Sequence, residues 1–192
     1  MRTLILCYLF LLIQGIGYCQ NQQNDFREFT WGDSFDKVLS EEKAKYVTRK
    51  DRVELLYSDV LGGKDVKILY VFNGQSKLIE TVYIFARKYN NPERYVLNYN
   101  AFSDLITEKY GTPTKQKERW ISDDTANDKA NPGQAVSDGD LSFYTVWMTD
   151  RVVIKSTLSN EVGKPSMQIH YTTRSLDVME NEEELRSALK ML

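Results

Sequence analysis

Histidine, cysteine and proline are scarce: the 192 residues hold one, two and four of them. With His170 as the one histidine, a multi-histidine zinc site cannot be assembled, and a Ser-His-Asp or Cys-His centre would have to be built on that residue alone. In "MQIHYTT" strand alternation puts Met167, Ile169 and Tyr171 on one side, leaving His170 with Gln168 and Thr172 on a polar, solvated side. Both cysteines, Cys7 and Cys19, fall in or at the edge of the apolar opening stretch. If that stretch is removed, disulfide staples, Cys-ligated metals and thiol nucleophiles go with it. No later apolar run is long enough to cross a bilayer.

The opening "MRTLILCYLFLLIQGIGYCQ" sets Arg2 before an apolar run from Leu4 to Ile13, then the small residues Gly15 and Gly17. That is the layout of a secretory signal peptide over 1–19, cut near Cys19 or Gln20, and the run is too short to span a membrane. The expected destination is periplasmic or secreted. Tyr18 stands where a lipobox needs a small residue, so a lipid anchor at Cys19 is not the expected outcome. Residues 20–28 then form a flexible mature start, and the remaining length suffices for one core without staples. Without Arg2, 24 basic side chains face 27 acidic ones, a net of −3. This balance argues against a nucleic-acid partner or an anionic membrane surface.

The stretch "WGDSFDKV" reads as a helix start. Asp33 or Ser34 supplies the cap oxygen, Trp31 packs ahead of it, and Phe35, Val38 and Leu39 follow at helical spacing. The period then changes. "KYVTRK", "RVELLYSDV", "DVKILYVFN" and "KLIETVYIFAR" are β-branched and aromatic runs separated by turn residues, with Asn73-Gly74 the sharpest hairpin signal. A second helix runs from Asn91-Pro92 to Gly111 with a stripe of Tyr95, Tyr99, Phe102, Ile106 and Tyr110. Strands return in "TKQKERWIS", "SFYTVWMT", "RVVIKSTLS" and "PSMQIHYTTR", interrupted by a polar insertion over 123–140 that reads as a mobile loop. Asn181 and Glu184 cap a last helix within 175–192.

The expected fold class is α+β: two helix-plus-antiparallel-strands units, 29–90 and 91–174, form one sheet with helices on one face, plus the C-terminal helix. "FTWGDSFDKV", "YVFNGQSKLIETVYIF" and "FSDLITEKYGTPT" resemble a group of small bacterial envelope proteins. Their layout is similar to the β-lactamase-inhibitor-protein-like fold, which includes small lipoproteins of outer-membrane assembly. The resemblance implies a fold and a compartment, and it carries no catalytic residue with it.

Carboxylates are the remaining route to acid–base chemistry. Asp33 with Asp36, Glu41 with Glu42, and Glu182–Glu184 read as caps and solvated helix residues. In the insertion, Asp123, Asp124 and Asp128 offer oxygens beside the calcium candidates Asp138 and Asp140, but their spacing does not match an EF-hand loop. "LGGK" sits in a strand turn, which offers no phosphate cradle. No catalytic residue and no cofactor is expected.

The strands carry more apolar residues than one covered face needs. Val66, Ile68, Tyr70 and Phe72 suit a face under the helices, leaving Leu69 and Val71 outside, and Ile79, Tyr83 and Phe85 or Tyr144, Val146 and Met148 form further alternate sets. The binding-surface expectation is therefore Leu69, Val71, Tyr83, Phe85, Tyr144, Val146 and Met148. It implies a non-enzymatic envelope protein that holds a protein or glycan. The alternatives are an envelope hydrolase using carboxylates and a self-associating structural subunit, a homo-oligomer.

Overall fold

Local capping signals set the helix starts. Ser34 Oγ accepts from the Lys37 amide at 3.3 Å and opens α1 (Phe35–Glu41), with Asp33 holding both the Thr30 amide and the Lys37 ammonium. Asn91 Oδ1 accepts from the Glu93 amide at 3.0 Å ahead of α2 (Glu93–Tyr110), and Gly111 closes that helix at φ 88°. The computed structural model describes residues 24–121 and 131–175. The expected leader 1–19, Asp123, Asp124 and Asp128, and all but residue 175 of the expected C-terminal helix lie outside these residues.

The strands are β1 (Lys45–Lys50), β2 (Glu54–Leu61), β3 (Lys64–Phe72), β4 (Leu78–Phe85), β5 (Lys115–Trp120), β6 (Leu141–Met148), β7 (Val152–Glu161) and β8 (Lys164–Thr173). With α3 (Pro132–Asp138) they make a mixed α+β fold, which over the described residues has three helices and one eight-stranded antiparallel sheet, ordered β1-β2-β3-β4-β8-β7-β6-β5. The last strands of the two runs, β4 and β8, therefore lie side by side at the centre, and β1 and β5 are the edges.

Register assigns every strand side chain to a face, because directly paired residues point the same way. Tyr57, Ile68, Tyr83, Ile169 and Ser156 form one row through the middle of the inner face. All five are buried. On this face Phe35 of α1 meets Phe72, Tyr99 of α2 bonds Thr145 at 2.7 Å, and the Trp147 indole N–H donates to Thr107. All three helices contribute buried residues to one core. Among the described residues no helix is long and apolar enough to cross a membrane.

Three local expectations are corrected. Residues 24–28 are not a loose start: Asp25 and Phe26 are buried, because Phe26 finds an aromatic floor and Asp25 an arginine. The insertion 123–140 is not all loop, since 132–138 form α3. Pro132 sits in its first turn, Gly139 takes the left-handed cap at φ 90°, and Val136 is buried. That helix lies so close to α2 that a Cβ on Gly133 would stand 2.4 Å from the Glu93 amide nitrogen. The Asn73-Gly74 hairpin forms as a wider loop in which Asn73 Oδ1 accepts from Gln75 and Lys77 and Ser76 takes the positive φ.

Candidate functional site

Two concave surfaces stand on opposite sides of the sheet. The inner one is a cleft of about 580 Å3 over the β4–β8 seam, between the N-terminal segment and the end of α2. Its floor is phenolic, with Tyr83 and Tyr171 in edge contact at 6.2 Å and Phe26 at 5.1 Å from each. Burial pushes both phenols above the usual tyrosine range, although Arg27 partly offsets this at Tyr83. The charged lining is largely self-neutralised. Arg151 grips Asp25 through two bonds of 2.6 and 2.7 Å, and Arg27 pairs with Asp59 at 2.7 Å and Glu42 at 3.3 Å. Burial opposes the Arg27 charge, but those two carboxylates outweigh it and hold the guanidinium protonated. The Asp25–Arg151 pair ties the N-terminal segment to the β6–β7 turn, and the Trp31 amide donates to the same carboxylate.

The outer concavity is a shallow trough, also about 580 Å3, on the face away from the helices. Tyr144, Val146 and Met148 form its apolar strip on β6, with Lys115 on one flank and Lys155 on the other. The register adds Lys117 opposite Tyr144 and Arg119 opposite Ser142. All four cations are exposed, and none has a carboxylate among the described residues within 4 Å. Glu161, at the far tip of β7, is the one acid that the alternation of β5, β6 and β7 turns outward. The Lys115 ammonium stands 5.3 Å from the centre of the Tyr144 ring, the range of a cation–π contact. A chain with net charge −2 thus carries a half-face that is basic and apolar together.

The expected seven-residue surface is divided by this geometry. Leu69, Val71, Tyr144, Val146 and Met148 do face outward. Tyr83 and Phe85 do not: they pair with Ile68 and Val66, Tyr83 floors the inner cleft, and the Phe85 ring packs 4.7 Å from Phe102. The physical reason is the bulge at Val71/Phe72, which puts Leu78 opposite Phe72 and seats the odd-numbered side chains at Thr81, Tyr83 and Phe85 under the helices. The outward five do not form one patch either. Leu69 and Val71 on β3 are four strands from β6, roughly 19 Å away at the usual strand spacing. Between them runs a polar band in which His170 Nδ1 lies 2.8 Å from Glu80 and Nε2 lies 3.0 Å from Gln168. Sequence reasoning missed the four cations, whose only signal was the i, i+2 spacing of Lys115, Lys117 and Arg119 in a strand.

The carboxylates singled out in sequence are held apart. Asp36 pairs with Arg52 at 2.7 Å, Asp33 with Lys37 at 2.9 Å, and Glu42 takes the Tyr70 hydroxyl, Arg27 and the Ala44 amide. Arg52 holds Asp36 below the usual carboxylate range. Asp138 accepts from the Gln134 amide at 2.9 Å, while Asp140 gives its backbone N–H to Ala135. Among the described residues no three His, Cys, Asp or Glu side chains converge on a metal-sized site. Comparison with protein-family models, with curated proteins and with solved structures finds no match.

Proposed function

We propose that this chain is an exported, non-enzymatic binding protein of the bacterial cell envelope. Its capture surface is the outer half-face of β5, β6 and β7. The observation that carries the reading is the set of four exposed cations, Lys115, Lys117, Arg119 and Lys155, around an apolar strip that no helix among the described residues covers. A merely solvated sheet face would alternate toward mixed polar residues, whereas Tyr144, Val146 and Met148 stand in line on a single strand. Charge of one sign beside apolar area favours an anionic partner, and it also speeds encounter. Export is supported by the leader-like opening. The strand order gives two four-strand runs, each preceded by a helix, and we read them as two units of one sheet.

The test is a crosslinking pull-down from native envelope with the Tyr144→Ala/Lys155→Glu double variant. The expected result is loss of the captured partner with melting temperature preserved. Undiminished capture by the folded double variant refutes the assignment of this face.

A further inference from the structure

We propose that the partner docks as an extended acidic segment that adds a ninth strand, antiparallel, to the free edge of β5. The proposal rests on the outer-face reading above and names how that face is engaged.

The backbone of β5 is prepared for this. The Ile121 amide donates to Asp140, so the ladder alternation turns the amides of Lys115, Lys117 and Arg119 toward β6. The N–H and C=O groups of Gln116, Glu118 and Trp120 therefore point away from the sheet, and no described strand lies beyond them. An antiparallel strand bonded there would form hydrogen-bonded pairs at these three residues. Its intervening residues would face Lys115, Lys117 and Arg119 in non-hydrogen-bonded pairs, where cross-strand side chains approach most closely. Acidic residues at alternate positions, about 6.6–6.8 Å apart along a strand, match that row of cations. The other alternate set would meet Gln116, Glu118 and Trp120, so it is uncharged or basic opposite Glu118.

Two comparisons select this edge and this occupant. The opposite edge, β1, is also basic but carries a bulge between Tyr46 and Thr48 inside the strand, a device that blunts edges, whereas the β5–β6 register runs unbroken from Lys115 to Trp120, the Thr114 amide sharing Val146 only at its entrance. A second copy of the chain added edge to edge at β5 would set lysines and arginine against one another, which disfavours self-pairing and leaves the edge open to the opposite charge. Backbone pairing supplies the affinity in strand addition, and the alternate side chains supply the selection.

The probe is a short capped peptide, fluorescently labelled, with glutamates at three alternate positions and threonines between them. It is titrated by anisotropy against the full exported chain. A second peptide of the same composition carries its glutamates consecutively. A third is the alternating peptide N-methylated on the amides facing Gln116 and Glu118. Glu118→Pro removes an outward N–H without touching the β5–β6 ladder or any cation, an edge position that tolerates proline. Glu118→Gln controls for the lost charge. The expected result is that the alternating peptide binds at least tenfold tighter than the consecutive one. N-methylation and Glu118→Pro each cost at least tenfold, and Glu118→Gln costs nothing. If Lys115→Glu/Lys117→Glu abolishes binding while N-methylation, Glu118→Pro and glutamate order have no effect, the face binds anions but strand addition is overturned. If the charge reversal leaves binding unchanged, the outer-face reading falls with it.

Discussion

Phe85 and Tyr144 look interchangeable as strand aromatics, and the fold assigns them opposite faces and opposite consequences. Phe85 is half-buried on the inner face with its ring 4.7 Å from Phe102. Full Phe→Ala truncation in a core costs about 3–5 kcal/mol; half-burial reduces that to about 2, and the lost edge-on pair adds about 0.5–1. The total is about 2–3 kcal/mol, which in a domain of this size lowers the melting temperature by roughly 5–10 °C. Tyr144, half-buried as well, stands in the outer trough with Lys115 beside its ring and no described helix above it. Its truncation opens no cavity beneath a described helix, so it forfeits about 0.5–1 kcal/mol of cation–π contact and about 0.5 kcal/mol of partial burial, hence about 2–6 °C. Thermal melts of Phe85→Ala and Tyr144→Ala, followed by circular dichroism, measure the difference directly. Equal losses, or the larger loss at Tyr144, refute the assignment of faces on which the proposed binding surface depends.

Two further outcomes follow from the inner face. Asp25→Ala removes two bonds to Arg151 and the acceptor of the Trp31 amide, a loss of about 2 kcal/mol after discounting for the half-exposed arginine. The N-terminal segment then frees itself, and tryptic cleavage after Arg27 accelerates over wild type; unchanged cleavage contradicts the clamp. Burial, with lesser electrostatic help, pushes the Tyr57 phenol to about 12 and raises those of Tyr70, Tyr83 and Tyr171. In the unfolded chain these phenols ionise near pH 10, so the neutral folded form is favoured fully below that pH and loses its advantage above it. Melting temperature should therefore fall steadily between pH 10 and 12, and a flat profile there contradicts the buried phenols.

Elements were legible where a local signal was sufficient. Ser34 and Asn91 announced their helices, Gly111 ended one of them, and the period-two runs placed all eight strands. The third helix was signalled too, by Pro132 and Gly139, but the polar composition around it outweighed those marks. What could not be read was anything set by pairing. The bulge at Val71/Phe72 fixes which side of β4 is buried, and no residue type in "KLIETVYIFAR" reveals it. The outer face became visible as basic only when the register brought Lys155 of β7 and Lys115 of β5 to either side of Val146. Likewise Asp25 and Arg151, 126 residues apart, gave no sequence hint of their pair.

The central claim is that the outer half-face of β5 to β7 meets the partner. A photo-crosslinking side chain placed in turn at Tyr144, at Leu69 on the far half of the same face, and at Leu105 on the exposed side of α2 maps that contact in living cells. The account predicts one strong adduct from position 144, little from 69 and none from 105. Adducts of equal yield at all three positions, or a dominant one at 105, would contradict it.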